Sequence, residues 1–230
     1  MGLHRRAGLG EADRVAILSR GVMAGTKASS RIVKDPMSPK LQLYLIRHGE
    51  TQWNATGKYQ GRFDSPLTER GIRQAQGCGK ALAGCAEHVN HWYVSPLGRA
   101  QQTSAIVRSF GMYPPAQSTS LLSEVSAGSW DGLTQTDIDA QWPGLLDGST
   151  QFDWYFRAPD GERYDDALDR VGKWLDQLSG VVVAVSHGLL GRLIRGTYLG
   201  LTKGETLSLP VPQDVIWQME NGRIEAIDGR

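Results

Sequence analysis

Two uninterrupted apolar runs stand out in the pattern of hydrophobic and polar positions along the chain. Residues 41–46 and residues 181–185 are rich in Leu, Ile and Val and contain few polar interruptions. Runs of this length are typical of parallel strands that are buried on both faces. The first run continues into Arg47-His48-Gly49 and the second into Ser186-His187-Gly188. If the two strands are neighbours, the two histidines face each other across one edge of the sheet.

The remaining periodicity predicts helices and short strands in alternation. Helical spacing of apolar residues occurs at Glu69 to about Ala86 with Thr68 as N-cap, Arg99 to Phe110, Glu162 to Leu178, and from the residues after His187 to about Leu199. Further strands are predicted at Trp92–Val94, near Ser120–Ser123, and at Val215–Met219 and Arg223–Ile227, the last two joined by Asn221-Gly222. This alternation over residues 41–200 predicts an α/β fold, a three-layer sandwich around a largely parallel sheet.

Residues 133–161 break the alternation. They are irregular and rich in aromatic residues, including Trp142, Trp154 and Tyr155. We predict an aromatic-rich insertion with short helices over the active-site edge of the sheet. Its side chains, with Trp130, form either a wall for a ring-bearing substrate or a small satellite core. The satellite core is favoured, because aromatic residues in irregular segments usually pack on one another.

Residues 1–39 show neither a helical nor a strand period and mix Gly, Ser, Arg and Lys. We predict a disordered N-terminal extension, which an over-extended reading frame would explain because Met37 stands just before the first strand. A basic targeting peptide is the alternative. Residues 40–230 then form a single catalytic domain.

Composition and charge exclude several classes of function. No apolar run approaches the roughly 20 residues that span a bilayer, so no membrane partner is expected. The net charge of +1 divides into +4 for residues 1–39 and −3 for the remainder, which argues against a nucleic-acid partner. Cys78 and Cys85 lie seven apart in one predicted helix, about 10 Å from each other and too far for a disulfide. Two unbridged thiols favour a cytoplasmic location. The sequence makes no prediction of oligomeric state.

The candidate chemistry follows from charged residues at the ends of predicted strands. Arg47 and Arg99, together with the two histidines, describe a pocket for a phosphate dianion, because the planar guanidinium matches phosphate oxygens. Gly188 would let the ligand approach the backbone closely. An imidazole in such a pocket can attack phosphorus and carry it covalently. Glu124, just past a predicted strand, is the carboxyl that the pattern places best to protonate the leaving oxygen and then activate water.

These residues resemble the histidine phosphatase superfamily, also called the phosphoglycerate mutase-like family. The motifs occur in the family's order, as Arg47-His48-Gly49-Glu50-Thr51 with Asn54, Asp64-Ser65-Pro66-Leu67-Thr68 before Gly71, Ser95-Pro96-Leu97 with Arg99 and Thr103, and Ser186-His187-Gly188. The resemblance implies that His48 is the phosphorylated nucleophile, that Arg47, Arg99 and His187 bind the phosphoryl group, and that Glu124 is the proton donor. It also implies that Asn54, Gln60 and Gly61 help to line the pocket. The cationic side chains would serve in place of magnesium, so no metal or cofactor is expected.

Within this family the choice lies between a phosphatase and a cofactor-dependent phosphoglycerate mutase. Such mutases typically continue the acidic residue with Arg-His-Tyr-Gly and carry a pair of adjacent arginines in a longer insertion. Here Glu124 is followed by Val-Ser-Ala-Gly. Residues 125–186 contain three arginines, Arg157, Arg163 and Arg170, and no two of them are adjacent. The pattern therefore favours a metal-independent phosphomonoester hydrolase acting on a small phosphorylated metabolite. A non-catalytic phosphate-binding domain is the third alternative, and it predicts the loss of catalytic residues that are present here.

Overall fold

The computed structural model describes residues 40–150 and 153–230, so the predicted extension over residues 1–39 lies outside the described residues. The central element is a six-stranded sheet in the order β3-β2-β4-β1-β5-β6. Its strands are β1 (Gln42–Arg47), β2 (His91–Val94), β3 (Ala116–Ser118), β4 (Val181–Ser186), β5 (Val215–Glu220) and β6 (Arg223–Asp228). Strands β1 to β4 are parallel to one another. Strand β5 is antiparallel to β1, and β6 is antiparallel to β5. A largely parallel sheet was predicted and is confirmed.

Helices cover both faces of this sheet. They are α1 (Gln52–Ala55), α2 (Glu69–Cys85), α3 (Gly98–Arg108), α4 (Gln135–Gln141), α5 (Tyr164–Leu175), α6 (Gly188–Leu199) and α7 (Lys203–Ser208). Successive residues of β1 point to opposite faces: Leu43 and Leu45 pack with α5 and α6, whereas Tyr44 and Ile46 pack with α2 and α3. The predicted three-layer sandwich is therefore confirmed, and it explains why β1 and β4 read as continuous apolar runs.

Local signals in the sequence account for several element boundaries. The hydroxyl of Thr68 accepts a hydrogen bond from the N–H of Gly71 and caps α2, as predicted. Asn221 and Gly222 both have positive φ, at 51° and 74°, which is the backbone that a two-residue turn between β5 and β6 requires. Cys78 and Cys85 are both free thiols, which agrees with the predicted absence of a bridge between them.

Two predicted elements differ from the structure. The strand near Ser120–Ser123 was wrong: the strand lies at Ala116–Ser118, and Ser120–Leu122 is a 3-10 helix that Thr119 caps through a hydrogen bond from the N–H of Leu121. The helix predicted from Glu162 begins only at Tyr164. Glu162 stays outside the helix, where its N–H donates to Ser126 O at 3.0 Å and its carboxylate pairs with Arg170.

The predicted insertion over residues 133–161 contains α4 and a 3-10 helix at Trp154–Arg157, and a further 3-10 helix at Gly128–Trp130 precedes it. Trp130 and Ile138 form the centre of a separate small core, and Trp142 and Trp154 pack against it. The satellite-core interpretation is confirmed for these tryptophans. Within the described part of the chain, no helix combines the length and the apolar character that a membrane crossing demands.

Candidate active site

The carboxyl ends of β1 and β4 bring the two predicted histidines together. The strands pair in parallel with Arg47 opposite Ser186, and the N–H of His48 donates to Ser186 O at 3.0 Å. The rings of His48 and His187 then lie with their centroids 5.2 Å apart and their planes tilted by 58°. Both side chains are buried. The juxtaposition expected from two neighbouring strands is confirmed.

Hydrogen bonds define which nitrogen of His48 is available for chemistry. Nδ1 lies 2.8 Å from Gly49 O, which can only accept, so this nitrogen carries the ring proton. Nε2 is then unprotonated and accepts a hydrogen bond from Arg99 Nε at 3.3 Å. Burial, followed by the positive charges of Arg47 and Arg99, holds the pKa of His48 well below its usual value. His48 therefore presents a neutral Nε2 with a lone pair.

Arg99 is fixed beside His48 by a loop that precedes α2. Its Nη1 pairs with Asp64 at 2.7 Å and donates to Phe63 O at 2.8 Å, and its Nη2 donates to Gly61 O at 2.9 Å. The Asp64 carboxylate also accepts the N–H groups of Gly98 and Arg99 at the start of α3. One carboxylate thus caps the helix and orients the guanidinium that the helix carries.

Ser95 holds His187 at the end of β2. The Ser95 hydroxyl lies 2.7 Å from His187 Nε2, and both residues are buried. Nδ1 of His187 is also buried and has no hydrogen-bond partner among the described residues. Burial, together with the charges of Arg99 and of neighbouring groups, holds the pKa of His187 well below its usual value.

Arg47 reaches the same site from the end of β1. Its Nη1 donates to Val211 O, whereas its buried Nε has no partner among the described residues. Gly188 makes room for this side chain, because a Cβ at that position would lie 3.2 Å from Arg47 Nε. A buried guanidinium N–H without a protein acceptor is a donor that a ligand oxygen can satisfy.

Glu124 lies at the N-terminus of α6. Its carboxylate accepts the N–H groups of Leu189 at 3.1 Å and Leu190 at 2.9 Å, and also that of Val125 at 2.9 Å. These bonds use two of the N–H groups that every helix start leaves without an intrahelical partner. The segment before Glu124 is held by Arg170 of α5, which donates to Leu121 O and Ser123 O, each at 2.8 Å.

These elements enclose a pocket of about 90 Å³. Of the predicted site residues, Arg47, His48, Asn54, Gln60, Glu124 and Gly188 line it. Arg99 and His187 are not among the lining residues, but Arg99 Nε contacts His48 Nε2 and the His187 ring lies beside the His48 ring. Asn54 is oriented by hydrogen bonds from Thr51 N and Gln213 Nε2 to its Oδ1, so its amide nitrogen remains for a ligand. Gly61 does not line the pocket; its carbonyl orients Arg99, and a Cβ there would meet Ala127 N at 2.4 Å.

Four further polar side chains line the pocket, namely Lys58, Tyr59, Tyr155 and Arg192, and the sequence motifs identified none of them as a site residue. A signal existed for one of them. Arg192 follows Gly188 by four residues in α6, and residues at this spacing share one face of a helix. Tyr155 stacks on Trp154 with ring centroids 3.7 Å apart, so the satellite core fixes one wall of the pocket. Tyr155 is the described residue of the predicted insertion that lines the pocket, and Val125 and Ala127 precede the insertion, so no cation comes from this part of the chain.

The described residues contain no group of three or more His, Cys, Asp or Glu side chains placed to hold a metal ion. The described site combines a neutral imidazole nitrogen, the guanidinium groups of Arg47 and Arg99 whose charges act on it, and a carboxylate that lines the same pocket. This arrangement can bind a tetrahedral dianion, attack it with nitrogen, and move one proton.

Comparisons with known proteins agree with this description. A family model for the histidine phosphatase superfamily (branch 1) matches residues 43–220. The protein named "Probable phosphoglycerate mutase GpmB" from Yersinia pestis (strain Pestoides F) is 34% identical over 170 residues, which are 70% of this chain and 76% of that protein.

Solved structures show the same fold. Bacillus stearothermophilus YhfR superposes with a TM-score of 0.69 at 30% identity, covering 82% of this chain and 96% of the other. An α-ribazole phosphatase from Shigella flexneri superposes with a TM-score of 0.71 at 26% identity, covering 81% and 96% of the two chains.

Proposed function

Because the chain belongs to the histidine phosphatase superfamily (branch 1), we propose that it hydrolyses a small phosphomonoester through a phosphohistidine at His48. The observation that carries this proposal is the state of the His48 ring. Its Nδ1 is committed to Gly49 O, and its Nε2 is neutral, beside Arg99 and on the wall of a pocket that also contains Glu124. A nitrogen in this state is a nucleophile that needs no separate base.

In the first step, Nε2 of His48 attacks phosphorus and the bond from phosphorus to the ester oxygen breaks. Glu124, which has to enter this step with a proton, gives that proton to the departing oxygen. In the second step, water attacks phosphorus, Glu124 takes the water proton, and the nitrogen–phosphorus bond breaks. Inorganic phosphate leaves, and both His48 and Glu124 return to their starting states.

Fixed donors would stabilise the charge that develops on the phosphoryl oxygens. We assign this role to Arg47 and Arg99 and to Nδ1–H of His187. Two of the three have a buried nitrogen without a partner in the described residues, namely Arg47 Nε and His187 Nδ1. Donors that are held in place before the reaction cost no reorganisation during it, which is the main source of their catalytic effect.

Mutase-type phosphoryl transfer is the second candidate, and the name of the Yersinia relative favours it. The lining of the pocket favours hydrolysis, because residues 125–161 bring no cation to it that would retain a phosphorylated product during transfer. The Shigella relative is named a phosphatase, which supports hydrolysis by analogy. A cytoplasmic location stays our proposal and is supported by the free thiols.

The test is release of 4-nitrophenol from 4-nitrophenyl phosphate in the presence of EDTA. Wild type should turn over, His48→Asn should be inactive, and the exposed His88→Asn should match wild type. Quenching with alkaline SDS after reaction with ³²P-labelled substrate should leave a phosphoenzyme that is stable to alkali and labile to acid. Equal activity of His48→Asn and wild type, or an acid-stable adduct, would contradict the mechanism. Turnover of 3-phosphoglycerate with its bisphosphate cofactor that exceeds hydrolysis would select the mutase instead.

A further inference from the structure

One carboxylate outside the pocket accepts hydrogen bonds from three successive backbone N–H groups. Asp131 follows the buried Trp130 of the satellite core. Its Oδ1 accepts from the N–H of Gly61, and its Oδ2 accepts from those of Arg62 at 2.8 Å and Phe63 at 3.3 Å. Among the described residues, no cationic side chain forms an ion pair with this carboxylate. Successive N–H groups can form a concave anion site, and here the protein's own carboxylate fills it.

The other side of the same loop holds Arg99. Gly61 O and Phe63 O accept hydrogen bonds from Nη2 and Nη1 of Arg99, at 2.9 Å and 2.8 Å. The carbonyl of Gly61 and the N–H of Arg62 belong to one planar peptide group, so they point in opposite directions from one rigid unit. Asp131 binds the N–H of this unit, and Arg99 binds its carbonyl oxygen. A rotation of the peptide group would therefore break both hydrogen bonds at once.

The shared peptide group also makes the two interactions strengthen each other. A carboxylate at the N–H polarises the peptide group, and its carbonyl oxygen becomes a stronger acceptor. The guanidinium at that oxygen carries the opposite charge, so it polarises the group in the same sense. Loss of the Asp131 carboxylate would weaken the hold on Arg99 even before the loop moves.

Arg99 has little freedom once this loop is fixed. Of the five N–H donors of a guanidinium, four have protein acceptors here, namely His48 Nε2, Phe63 O, Asp64 Oδ1 and Gly61 O. The fifth, on Nη2, takes its direction from the other four and is left for a phosphoryl oxygen. Because the Arg99 side chain is completely buried, a displacement of the loop moves the whole guanidinium relative to His48.

We propose that Asp131 is a positioning residue that holds Arg99 beside His48 through the intervening peptide group. The inference rests on the proposed function, which places the phosphoryl group at His48. It also gives the satellite core a role in the reaction. Trp130 is fully buried at the centre of that core, so the residue that follows it is held in place.

Asp131→Asn tests this role with the smallest change of shape. The amide keeps one oxygen acceptor but turns an NH₂ group towards the remaining N–H groups, so the loop loses at least one hydrogen bond. We expect kcat/KM for 4-nitrophenyl phosphate to fall about tenfold in Asp131→Asn and about 10²-fold in Asp131→Ala, because a misplacement of about 1 Å at a reacting group has effects of this size. Asp137→Asn is the matched control and should keep the wild-type kcat/KM. Its carboxylate also accepts a backbone N–H, that of Thr134 at 2.9 Å, but caps α4 instead.

Two readouts separate positioning from a general loss of stability. In long-range ¹H–¹⁵N spectra at neutral pH, the resonance of His48 Nε2 should move downfield in Asp131→Asn, because this nitrogen loses the hydrogen bond from Arg99. His48→Asn assigns the signal. In an Arg99→Gln background, Asp131→Asn should change kcat/KM by less than about twofold, because the guanidinium through which Asp131 acts is absent.

An unchanged His48 resonance in folded Asp131→Asn overturns the proposal, and so do equal losses of kcat/KM with and without the Arg99 guanidinium. If Asp131→Asn does not fold, Gly61→Ala replaces it. Its Cβ would lie 3.0 Å from Asp131 Oδ2 and displace the same loop, so a resonance that does not move there also refutes the role. Failure of the proposed function gives a different result: wild type would release no 4-nitrophenol, and the His48 resonance would still decide the role of Asp131.

Discussion

Replacement of Ser95 by alanine tests how the protein controls the proton on His187. The Ser95 hydroxyl oxygen accepts the N–H of Leu97 at 3.3 Å and lies 2.7 Å from His187 Nε2. Ser95 is fully buried, so its own proton needs an acceptor, and Nε2 is the one that the described residues offer. His187 then carries its proton on Nδ1. We expect this N–H to donate to a phosphoryl oxygen.

The magnitude follows from the burial of both partners. Removal of the hydroxyl leaves Nε2 as a buried acceptor without a donor, which costs about 1–3 kcal/mol. Moving the ring proton to Nε2 does not avoid this cost, because Nε2–H would then be a buried donor without an acceptor. Rotation of the ring does avoid it, but takes the Nδ1–H away from the phosphoryl oxygen. We therefore expect Ser95→Ala to lower the free energy of unfolding by about 1–2 kcal/mol. We also expect kcat/KM to fall about tenfold, which equals about 1.4 kcal/mol of transition-state stabilisation.

Long-range ¹H–¹⁵N correlation spectra of the histidine rings provide the direct assay, with His187→Asn to assign the signals. In wild type, Nδ1 of His187 should show the shift of a protonated nitrogen and Nε2 that of an unprotonated one. Ser95→Thr keeps the hydroxyl and should retain the wild-type pattern. A wild-type ring protonated at Nε2 would refute the reasoning, and so would a Ser95→Ala enzyme with wild-type kcat/KM.

Three further predictions concern the neighbouring groups. Glu124→Gln should lower kcat/KM, which reports the phosphorylation step, by about 10²- to 10⁴-fold for an alkyl phosphate and much less for 4-nitrophenyl phosphate, since a good leaving group needs no proton. Equal losses of kcat/KM on both substrates would contradict general acid catalysis. Gly188→Ala places a Cβ 3.2 Å from Arg47 Nε, and we expect the shifted guanidinium to raise the KM about tenfold. Gly204→Ala is the matched helix variant, because a Cβ there meets no atom within 4 Å, and its KM should equal that of wild type. The pKa values of His48 and His187 are lowered in the folded state, so the unfolded chain binds protons at a higher pH than the folded protein does. The free energy of unfolding should therefore fall as the pH drops below about 6.5, and it should level off below the folded-state pKa values. Urea unfolding at pH 7.5 and 5.5 measures this, and a smaller pH dependence is expected for His187→Asn.

Much of the fold followed from the sequence because its signals are local. The apolar runs at β1 and β4 and the Asn221-Gly222 turn each depend on residues that are adjacent in the chain. The meeting of His48 and His187 followed from the same runs, since parallel neighbours end at one edge of the sheet. The ordered motifs then indicated the histidine phosphatase superfamily, and the family model supports this over residues 43–220.

The details that failed depend on contacts between distant segments. The segment Ser120–Ser123 contains two leucines that suit a strand, but Arg170 and Ser186 bind the carbonyl groups of this region and hold it as a turn. Arg192 was missed because its spacing from Gly188 indicates only a shared helix face, and a shared face does not distinguish a guanidinium that lines a pocket from one that faces solvent. The donors that fix the Glu124 carboxylate are backbone groups of α6, more than sixty residues away. Backbone donors leave no signature in side-chain identity.

The electrostatics of the site reconcile two demands that oppose each other. A phosphate dianion needs positive charge around it, whereas a histidine nucleophile has to stay unprotonated. Arginines satisfy both demands, because their own charge persists at every relevant pH and lowers the pKa of the buried His48 and His187. Histidinium or ammonium groups in the same places would exchange protons with the nucleophile. Arg99 adds a direct effect, since its Nε donates to the Nε2 lone pair and excludes a proton from it. A bound phosphoryl group competes for the same guanidinium, so substrate binding itself would free the nitrogen that attacks.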